Sequence, residues 1–179
     1  MIKSGQSALV IVDVQEKLFP LINKKKELIK NINILLKIFS QLNLPILVSE
    51  QYPSGLGRTI SEIKINSAKI IKNEKTSFSC WKDPKFKQNL FKTSKKQIIL
   101  CGVETHICVL QTCLDLFNNS FEVFVVQDAV NSRSNESHLL GIERMRSSGV
   151  NIIHSEMVLF ELLEDSKHKD FKELSKLIR

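Results

Sequence analysis

Short apolar runs alternate along this chain with longer segments in which apolar residues recur at helical spacing. The first run, Ala8 to Val12, is continuous and rich in β-branched residues, which is typical of a strand buried on both faces. Between Asn23 and Leu42 the apolar positions lie three or four residues apart, which predicts an amphipathic helix. Further strands are predicted at residues 45–49, 68–72, 97–101, 122–127 and 150–154.

Helices are predicted between most of these strands. Asp83 is the expected N-cap of one of them, with Pro84 at its first helical position. Others are expected at residues 105–118, 135–149, where Gly149 ends the helix, and 156–163, before a charged C-terminal helix. This alternation indicates βαβ units. We therefore expect an α/β fold of three layers, with a mostly parallel sheet of about six strands and helices on both faces.

Composition favours one soluble domain. The 179 residues are 42% hydrophobic and 25% charged, and they contain no internal repeat, low-complexity tract or linker, so residues 1–179 are taken as one domain. No apolar run reaches the roughly 18 residues of a membrane helix. The N-terminal segment lacks a small-residue cleavage site, so we expect a cytoplasmic protein without membrane contact.

The net charge of +7 raises the question of a nucleic-acid partner. The lysines are scattered, however, and only one Tyr and one Trp accompany them, so no stacking surface for bases is evident. No specific nucleic-acid binding is therefore expected. No glycine-rich phosphate loop follows any strand, which also disfavours a nucleotide-binding protein.

Four cysteines, none in a C-x-x-C pair, are consistent with reduced thiols. Their spacing to the four His does not match a zinc site, so neither a metal nor another cofactor is expected. Cys101 falls inside a predicted strand and Cys113 deep in a predicted helix, where thiols are usually core residues. The role of Cys80, in a loop, stays open.

Three reactive side chains follow predicted strand ends, where ligands bind in open α/β sheets. Asp13 could be a turn former or a site group, and Lys75 could be a solvated loop residue. Cys108 lies in the first turn of a predicted helix, whose N-terminus is expected to lower the pKa of its thiol. Together they could provide a nucleophile, a proton acceptor and a positive charge.

Five segments of the chain resemble the isochorismatase-like cysteine hydrolase superfamily: ALVIVDVQEKLFP, SEQYPSGLGRTISEI, EKTSFSCW, LCGVETHICVLQTCLDL and VVQDAVNSR. Within it, the small hydrolases with an EQYPxGLG loop are the most similar. The resemblance implies a Rossmann-like topology and an Asp–Lys–Cys catalytic triad at Asp13, Lys75 and Cys108. It also implies a cis peptide bond between Val103 and Glu104, and an oxyanion hole formed by the backbone N–H groups of Glu104 and Cys108.

The resemblance also suggests a substrate pocket. Gln15 could face it as a polar contact, and Phe19 could stack on a planar substrate, although Phe is more often a core residue. Thr105 and His106 lie beside the nucleophile, with His106 a cap or a substrate contact. The SEQYPSGLGRT segment contains no His, so the metal cluster of the nicotinamidase branch is not expected.

These observations favour a hydrolase that acts on a small amide or a related C–N acyl compound through a thioester. A homo-oligomer, a dimer or larger, is expected by analogy with the superfamily. The alternative is a catalytically silent relative that acts as an interaction or scaffold protein. Asp128, at the end of the fifth predicted strand, could support the site or cap a loop.

Overall fold

The computed structural model describes residues 1–65 and 70–178. One parallel sheet of six strands has the order β3–β2–β1–β4–β5–β6. The strands are β1 (Ser7–Val12), β2 (Ile46–Gln51), β3 (Ile70–Lys75), β4 (Gln97–Val103), β5 (Glu122–Asn131) and β6 (Asn151–Ile153). With helices on both faces, this architecture confirms the predicted fold class.

Seven α-helices accompany the strands among the described residues: α1 (Lys25–Gln41), α2 (Pro53–Leu56), α3 (Pro84–Lys92), α4 (Leu110–Asn118), α5 (Asn135–Ser147), α6 (Ser155–Leu163) and α7 (Phe171–Leu174). Short 3₁₀ segments cover Ser4–Gln6, Phe19–Leu21, Cys80–Lys82 and Ser175–Ile178. The predicted cap is confirmed, because the Asp83 carboxylate accepts the Phe86 N–H at the start of α3. None of the helices in this part of the chain has the length and apolar character of a membrane span.

The crossovers decide which face each helix covers. The chain moves from β1 to β2 in one direction along the sheet and from β4 to β5 in the other, and such crossovers are right-handed. As a result α1 packs with α6 on one face, while α4 packs with α5 on the opposite face. The order reverses between β1 and β4, and in open α/β sheets ligands bind beyond the carboxyl ends of the strands at such a position.

A glycine brings the two central strands together at this point. Gly102, near the end of β4, has a φ of +115°, and a Cβ there would lie 2.2 Å from the Val12 carbonyl oxygen. Only glycine fits so close an approach. The residues that follow β1 and β4 therefore meet at the same edge of the sheet.

Several boundaries differ from the predictions. Residues 68 and 69 of the third predicted strand lie outside the described residues, and β3 extends to Lys75, which ends the strand instead of following it. β5 runs four residues beyond its predicted end, so Asp128 lies inside it. The predicted helix at 105–118 begins as a π-helical turn, Thr105–Val109, before α4.

Candidate active site

Asp13 directly follows β1 with a left-handed backbone, φ +50°, and its side chain is fully buried. One carboxylate oxygen, Oδ1, accepts a hydrogen bond of 2.7 Å from the Ser49 hydroxyl on β2. The other, Oδ2, lies 2.6 Å from Nζ of Lys75 on β3. Asp13 therefore connects three adjacent strands, and its carboxylate does not act as a helix cap.

Lys75 is buried. A lone lysine in a polar segment is usually solvated, so this burial is unusual. Its ammonium group donates to Asp13 and to the carbonyl oxygens of Ser77 and Phe78, both at 3.1 Å. Burial opposes its charge, but Cys80, Asp13 and Cys108 together raise the pKa of Lys75 above its ordinary value. With its three N–H donors engaged, Lys75 is a fixed positive charge.

Cys108 lies in the π-helical turn with only 4% of its surface exposed. Its thiol lies 3.8 Å from Oε1 of Gln51, to which it donates. Burial raises the pKa of this thiol strongly, and the charge of Asp13 and a hydrogen bond with it act in the same direction, while Lys75 lowers it. The prediction of a lowered thiol pKa at a helix N-terminus is therefore wrong, because burial outweighs any helix-terminus effect.

Cys101 and Cys113 are core residues, as predicted. Both are fully buried, Cys101 inside β4 and Cys113 inside α4, and all four cysteines are free thiols. Burial raises the pKa of Cys113 to about 12 and that of Cys101 further. Both thiols are therefore protonated at neutral pH, and neither the Asp13 nor the Lys75 charge is among the causes of their pKa shifts.

Cys80, whose role the sequence left open, lies near the Asp13–Lys75 pair, since both charges act on its thiol. It is fully buried at the start of a 3₁₀ turn, and its N–H donates to the Thr112 hydroxyl at 2.9 Å. Burial raises the pKa of its thiol to about 11, against the opposing effect of Lys75 and of hydrogen bonds with Ser49 and Thr112. Cys80 thus belongs to the polar surroundings of the pair.

The segment before Cys108 contains a cis peptide bond between Val103 and Glu104. The Glu104 carboxylate is held by both N–H sides of the Arg133 guanidinium, at 3.0 Å and 2.8 Å, and by the Arg133 backbone N–H. Burial acts to raise the pKa of Glu104, but these hydrogen bonds and the charge of Arg133 lower it below its ordinary value. Arg133, just after β5, therefore anchors the entry to the π-helical turn.

Gln15 and Phe19, two predicted pocket residues, are buried within the protein. The Gln15 amide donates to the carbonyl oxygens of Gln51 and Gly57 and accepts the Gln51 N–H. It links the segment after β1 to the loop after β2, whereas a substrate contact was predicted. Phe19 packs in the hydrophobic core, which was the usual role considered for it.

Thr105 and His106, the other two predicted pocket residues, bind to the α5 side of the site. The Thr105 hydroxyl hydrogen-bonds with the His138 ring at 3.0 Å, and the His106 ring with the Ser132 hydroxyl at 2.9 Å. Their side chains fasten the π-helical turn to its surroundings. Asp128 accepts from the N–H and hydroxyl of Ser155 at the start of α6, which agrees with the capping alternative.

Sequence reasoning missed Ser49, Gln51 and Arg133, all of which contact the candidate site. Ser49 and Gln51 occupy alternate positions near the end of β2, at the edge of the sheet where site residues were expected. That rule could have identified them. Nothing in the sequence indicated that Arg133 pairs with Glu104, which lies 29 residues earlier.

A cavity of about 570 Å³ lies at the carboxyl ends of β2 and β3, with Tyr52, Lys75 and Thr76 in its wall. A second cavity, of about 410 Å³, lies beyond β5 and includes Lys24, Asp128 and His138. Among residues 1–65 and 70–178, no cluster of three or more His, Cys, Asp or Glu side chains could hold a metal ion.

The sequence of this chain was compared with models of protein families and with characterised proteins. The model of the isochorismatase domain matches residues 7–157. Isochorismatase family protein 1A of Dictyostelium discoideum is 39% identical over 176 residues, which cover 94% of this chain and 84% of that protein. The similarity thus includes every strand of the sheet and the whole candidate site.

Solved structures agree with this result. MAR1 ribonuclease from Caenorhabditis elegans superposes with a TM-score of 0.91 at 37% identity, covering 99% of this chain and 91% of that one. The YcaC protein of Escherichia coli, described as an octameric hydrolase of unknown specificity, superposes with a TM-score of 0.90 at 26% identity. That match covers 99% of this chain and 88% of the YcaC chain.

Proposed function

The chain belongs to the isochorismatase family, and from this premise we propose that it is a cysteine-dependent hydrolase of small amides or related C–N acyl compounds. Asp13, Lys75 and Cys108 would be its catalytic residues. The reaction would pass through a thioester on Cys108 and need no cofactor.

One observation carries this proposal: a buried carboxylate–ammonium pair lies beside a thiol whose pKa responds to both charges. Oδ2 of Asp13 and Nζ of Lys75 are 2.6 Å apart, and Cys108 lies close enough for both charges to act on the pKa of its thiol. Because burial keeps the thiol protonated at rest, Cys108 needs a base at the moment of attack. Asp13 is the buried carboxylate whose charge acts on this thiol, and we assign it the role of that base.

In the first half-reaction the Cys108 sulfur attacks the carbonyl carbon of the substrate while its proton passes to Asp13. The carbonyl electron pair moves onto oxygen, and the N–H groups of Glu104 and Cys108 stabilise the resulting oxyanion. The tetrahedral intermediate collapses as Asp13 returns the proton to the leaving nitrogen. The C–N bond breaks, the amine departs and a thioester remains.

In the second half-reaction a water molecule replaces the amine. Asp13, which is ionised again, takes a proton from this water while the water oxygen attacks the thioester carbon. The C–S bond then breaks, the acid is released, and the proton returns from Asp13 to the Cys108 sulfur. Throughout the cycle Lys75 contributes its charge, because its N–H donors are already bound to protein oxygens.

Gln51 is the strongest candidate for a substrate contact. Its side chain is partly exposed, its Oε1 lies 3.8 Å from the Cys108 sulfur, and its Nε2 donates to the Thr76 carbonyl at 3.3 Å. Gln15 fixes the Gln51 backbone from behind. An amide next to the nucleophile suits a small substrate that carries an amide, carbamoyl or ureido group, since both sides of such a group form hydrogen bonds.

A second candidate, ribonuclease activity, is favoured by the name of the Caenorhabditis elegans relative and by the net charge of +7. A catalytically silent interaction protein is the third. Neither role requires a buried carboxylate–ammonium pair beside a thiol, so we prefer cysteine-dependent hydrolysis.

We also propose that the protein is a homo-oligomer that works in the cytoplasm. The octameric description of the YcaC relative supports assembly, and four free thiols suit a reducing compartment. Exposed apolar side chains on α5 and α6 could form the contacts: Leu139, Leu140, Met157 and Phe160. Light scattering after size exclusion would test this, and a monomer at micromolar concentration would contradict it.

Alkylation by iodoacetamide, followed residue by residue with mass spectrometry, tests the proposed roles without a known substrate. In the wild type, Cys108 should react faster than Cys101 and Cys113. Asp13→Asn should slow Cys108 alone, because the loss of the proton acceptor outweighs the loss of a charge that raises the thiol pKa. Equal rates for the three thiols, or an unchanged Cys108 rate in Asp13→Asn, would favour the silent relative.

A further inference from the structure

We propose that Ser49 is a positioning residue for this reaction: its hydroxyl fixes the carboxylate of Asp13 in the orientation that receives the Cys108 proton. This inference rests on the proposed cysteine-dependent hydrolysis. Ser49 itself would touch neither the substrate nor the reacting sulfur.

Ser49 holds Asp13 through both its backbone and its side chain. In the parallel pairing of β1 and β2 it lies opposite Val12, so its carbonyl oxygen accepts the Asp13 N–H at 3.1 Å. Its hydroxyl donates to Oδ1 of Asp13 at 2.7 Å, and both residues are fully buried. No water competes for such a bond, so its geometry persists.

The Ser49 bond completes a clamp on the carboxylate. Lys75 binds Oδ2, and its other two N–H groups are held by the Ser77 and Phe78 carbonyls, so it cannot follow a rotating carboxylate. A carboxylate with one partner can turn about its Cβ–Cγ bond, whereas partners on two strands fix its plane. The remaining lone pairs of the carboxylate then point in one set of directions, and Cys108 lies near enough for the Asp13 charge to act on its thiol.

Loss of the hydroxyl should have two effects on Cys108. Without the clamp the carboxylate is misaligned, so proton transfer from the thiol slows. The ionised carboxylate also loses a hydrogen-bond donor that favours it, so the acidic limb of the reaction's pH profile should move to higher pH. If Ser49 only filled space, the acidic limb would stay where it is in the wild type, and variants with and without the hydroxyl would share it.

The experiment follows Cys108 alkylation by iodoacetamide against pH in the full chain. In this step the sulfur–carbon bond forms, iodide leaves, and the thiol proton passes to Asp13. Ser49→Ala should alkylate about 10-fold more slowly at neutral pH, the effect of one hydrogen bond to a charged group. The acidic limb of its pH profile should shift to higher pH.

Ser49→Thr and Ser49→Val form a matched pair if the alanine variant folds poorly. The two side chains have the same shape, suit a strand, and differ in the hydroxyl. Thr should retain the wild-type profile and Val should behave as Ala does. Ser7→Ala is the control, because Ser7 is an equally buried serine of β1. Its hydroxyl donates to the Lys3 carbonyl at 2.7 Å and does not contact Asp13.

The outcomes separate the two proposals. If Asp13→Asn leaves Cys108 alkylation unchanged, the proposed function fails and the Ser49 role with it. If Asp13→Asn slows alkylation while the Thr and Val variants share one rate and one acidic limb, the positioning role alone is overturned. A tenfold difference between Thr and Val, with Ser7→Ala like the wild type, supports it.

Discussion

The ammonium nitrogen of Lys75 lies 2.6 Å from Oδ2 of Asp13, and neither side chain has more than 1% of its surface exposed. Asp13 follows β1 and Lys75 ends β3, with β2 between them, so the pair spans the width of three strands. Two opposite charges in such a place depend on each other, because either one alone would be an uncompensated charge in the interior.

Removal of one partner should therefore destabilise the fold. Lys75→Met should lower the free energy of unfolding by about 3–5 kcal/mol, the usual effect of breaking a buried ion pair. Urea denaturation at neutral pH measures this. The double variant Asp13→Asn/Lys75→Met should recover much of the loss, since no charge remains unpaired and Asn tolerates the left-handed backbone at position 13. A double variant less stable than Lys75→Met would contradict the coupling.

Alkaline pH should destabilise the protein through its buried thiols. In the unfolded chain a thiol loses its proton near pH ~8.5, whereas burial raises the pKa of Cys80 to about 11 in the folded protein. Between these values the unfolded state binds fewer protons, so the free energy of unfolding falls as the pH rises.

Cys80→Ala should remove one thiol from this effect. The slope of unfolding free energy against pH, measured by urea denaturation under reducing conditions, should become shallower by up to ~1.4 kcal/mol per pH unit between about pH 9 and pH 11. Ser7→Ala, which removes a buried hydroxyl that does not titrate, should leave the slope unchanged. An equal slope in Cys80→Ala and wild type would show that the Cys80 thiol ionises freely.

Arg133→Gln should loosen the segment that leads to Cys108. The variant loses a two-pronged hydrogen bond to Glu104, and because Arg133 is mostly exposed we expect a loss of about 1 kcal/mol at neutral pH. Since Arg133 lowers the pKa of Glu104, this contribution is fully present above the ordinary glutamate pKa and is lost as the pH falls through the lowered pKa of the folded protein.

The control for this variant is Arg146→Gln, which breaks an exposed pair with Glu143 on α5. It should change neither stability nor Cys108 alkylation, whereas Arg133→Gln should slow the alkylation. Alkylation rates of the two variants at pH 7, and their thermal unfolding from pH 7 down through the acidic range in which Glu104 becomes protonated, give the comparison. Identical behaviour would contradict the anchoring role of Arg133.

RNA should not be a substrate. Because its positive charge is scattered, the protein should bind a single-stranded RNA oligonucleotide only weakly at low salt. This binding is electrostatic, so it should be lost steeply as the salt concentration increases. Fluorescence anisotropy across a salt series and gel analysis of the incubated RNA measure this. Cleavage of the RNA by wild type that is absent in Cys108→Ala would contradict this prediction and favour the ribonuclease candidate.

The sequence was most informative where local patterns reflect backbone geometry. Continuous apolar runs predicted the buried strands, and the Asp83–Pro84 pair predicted the start of α3. The rule that ligands bind beyond strand ends selected Asp13, Lys75 and Cys108, and the structure brings their side chains together. The resemblance to the superfamily pointed to the same three residues.

The sequence was least informative where contacts between distant segments decide the outcome. Burial of Cys108 against the charge of Asp13, which raises its thiol pKa, depends on how three strands and a turn come together. The same applies to Gln15, whose amide is held by backbone groups 36 and 42 residues away. Ser49 looks like any strand residue until β2 is aligned with β1.

Ammonia release is the decisive measurement of cysteine-dependent amide hydrolysis. Small primary amides, carbamoyl compounds and ureides should be screened with wild type, Cys108→Ala and the matched core variant Cys101→Ala, with ammonia detected by a coupled assay. We predict release from at least one of these classes by wild type and Cys101→Ala, and none by Cys108→Ala. Turnover by Cys108→Ala at the wild-type rate would contradict cysteine-dependent hydrolysis.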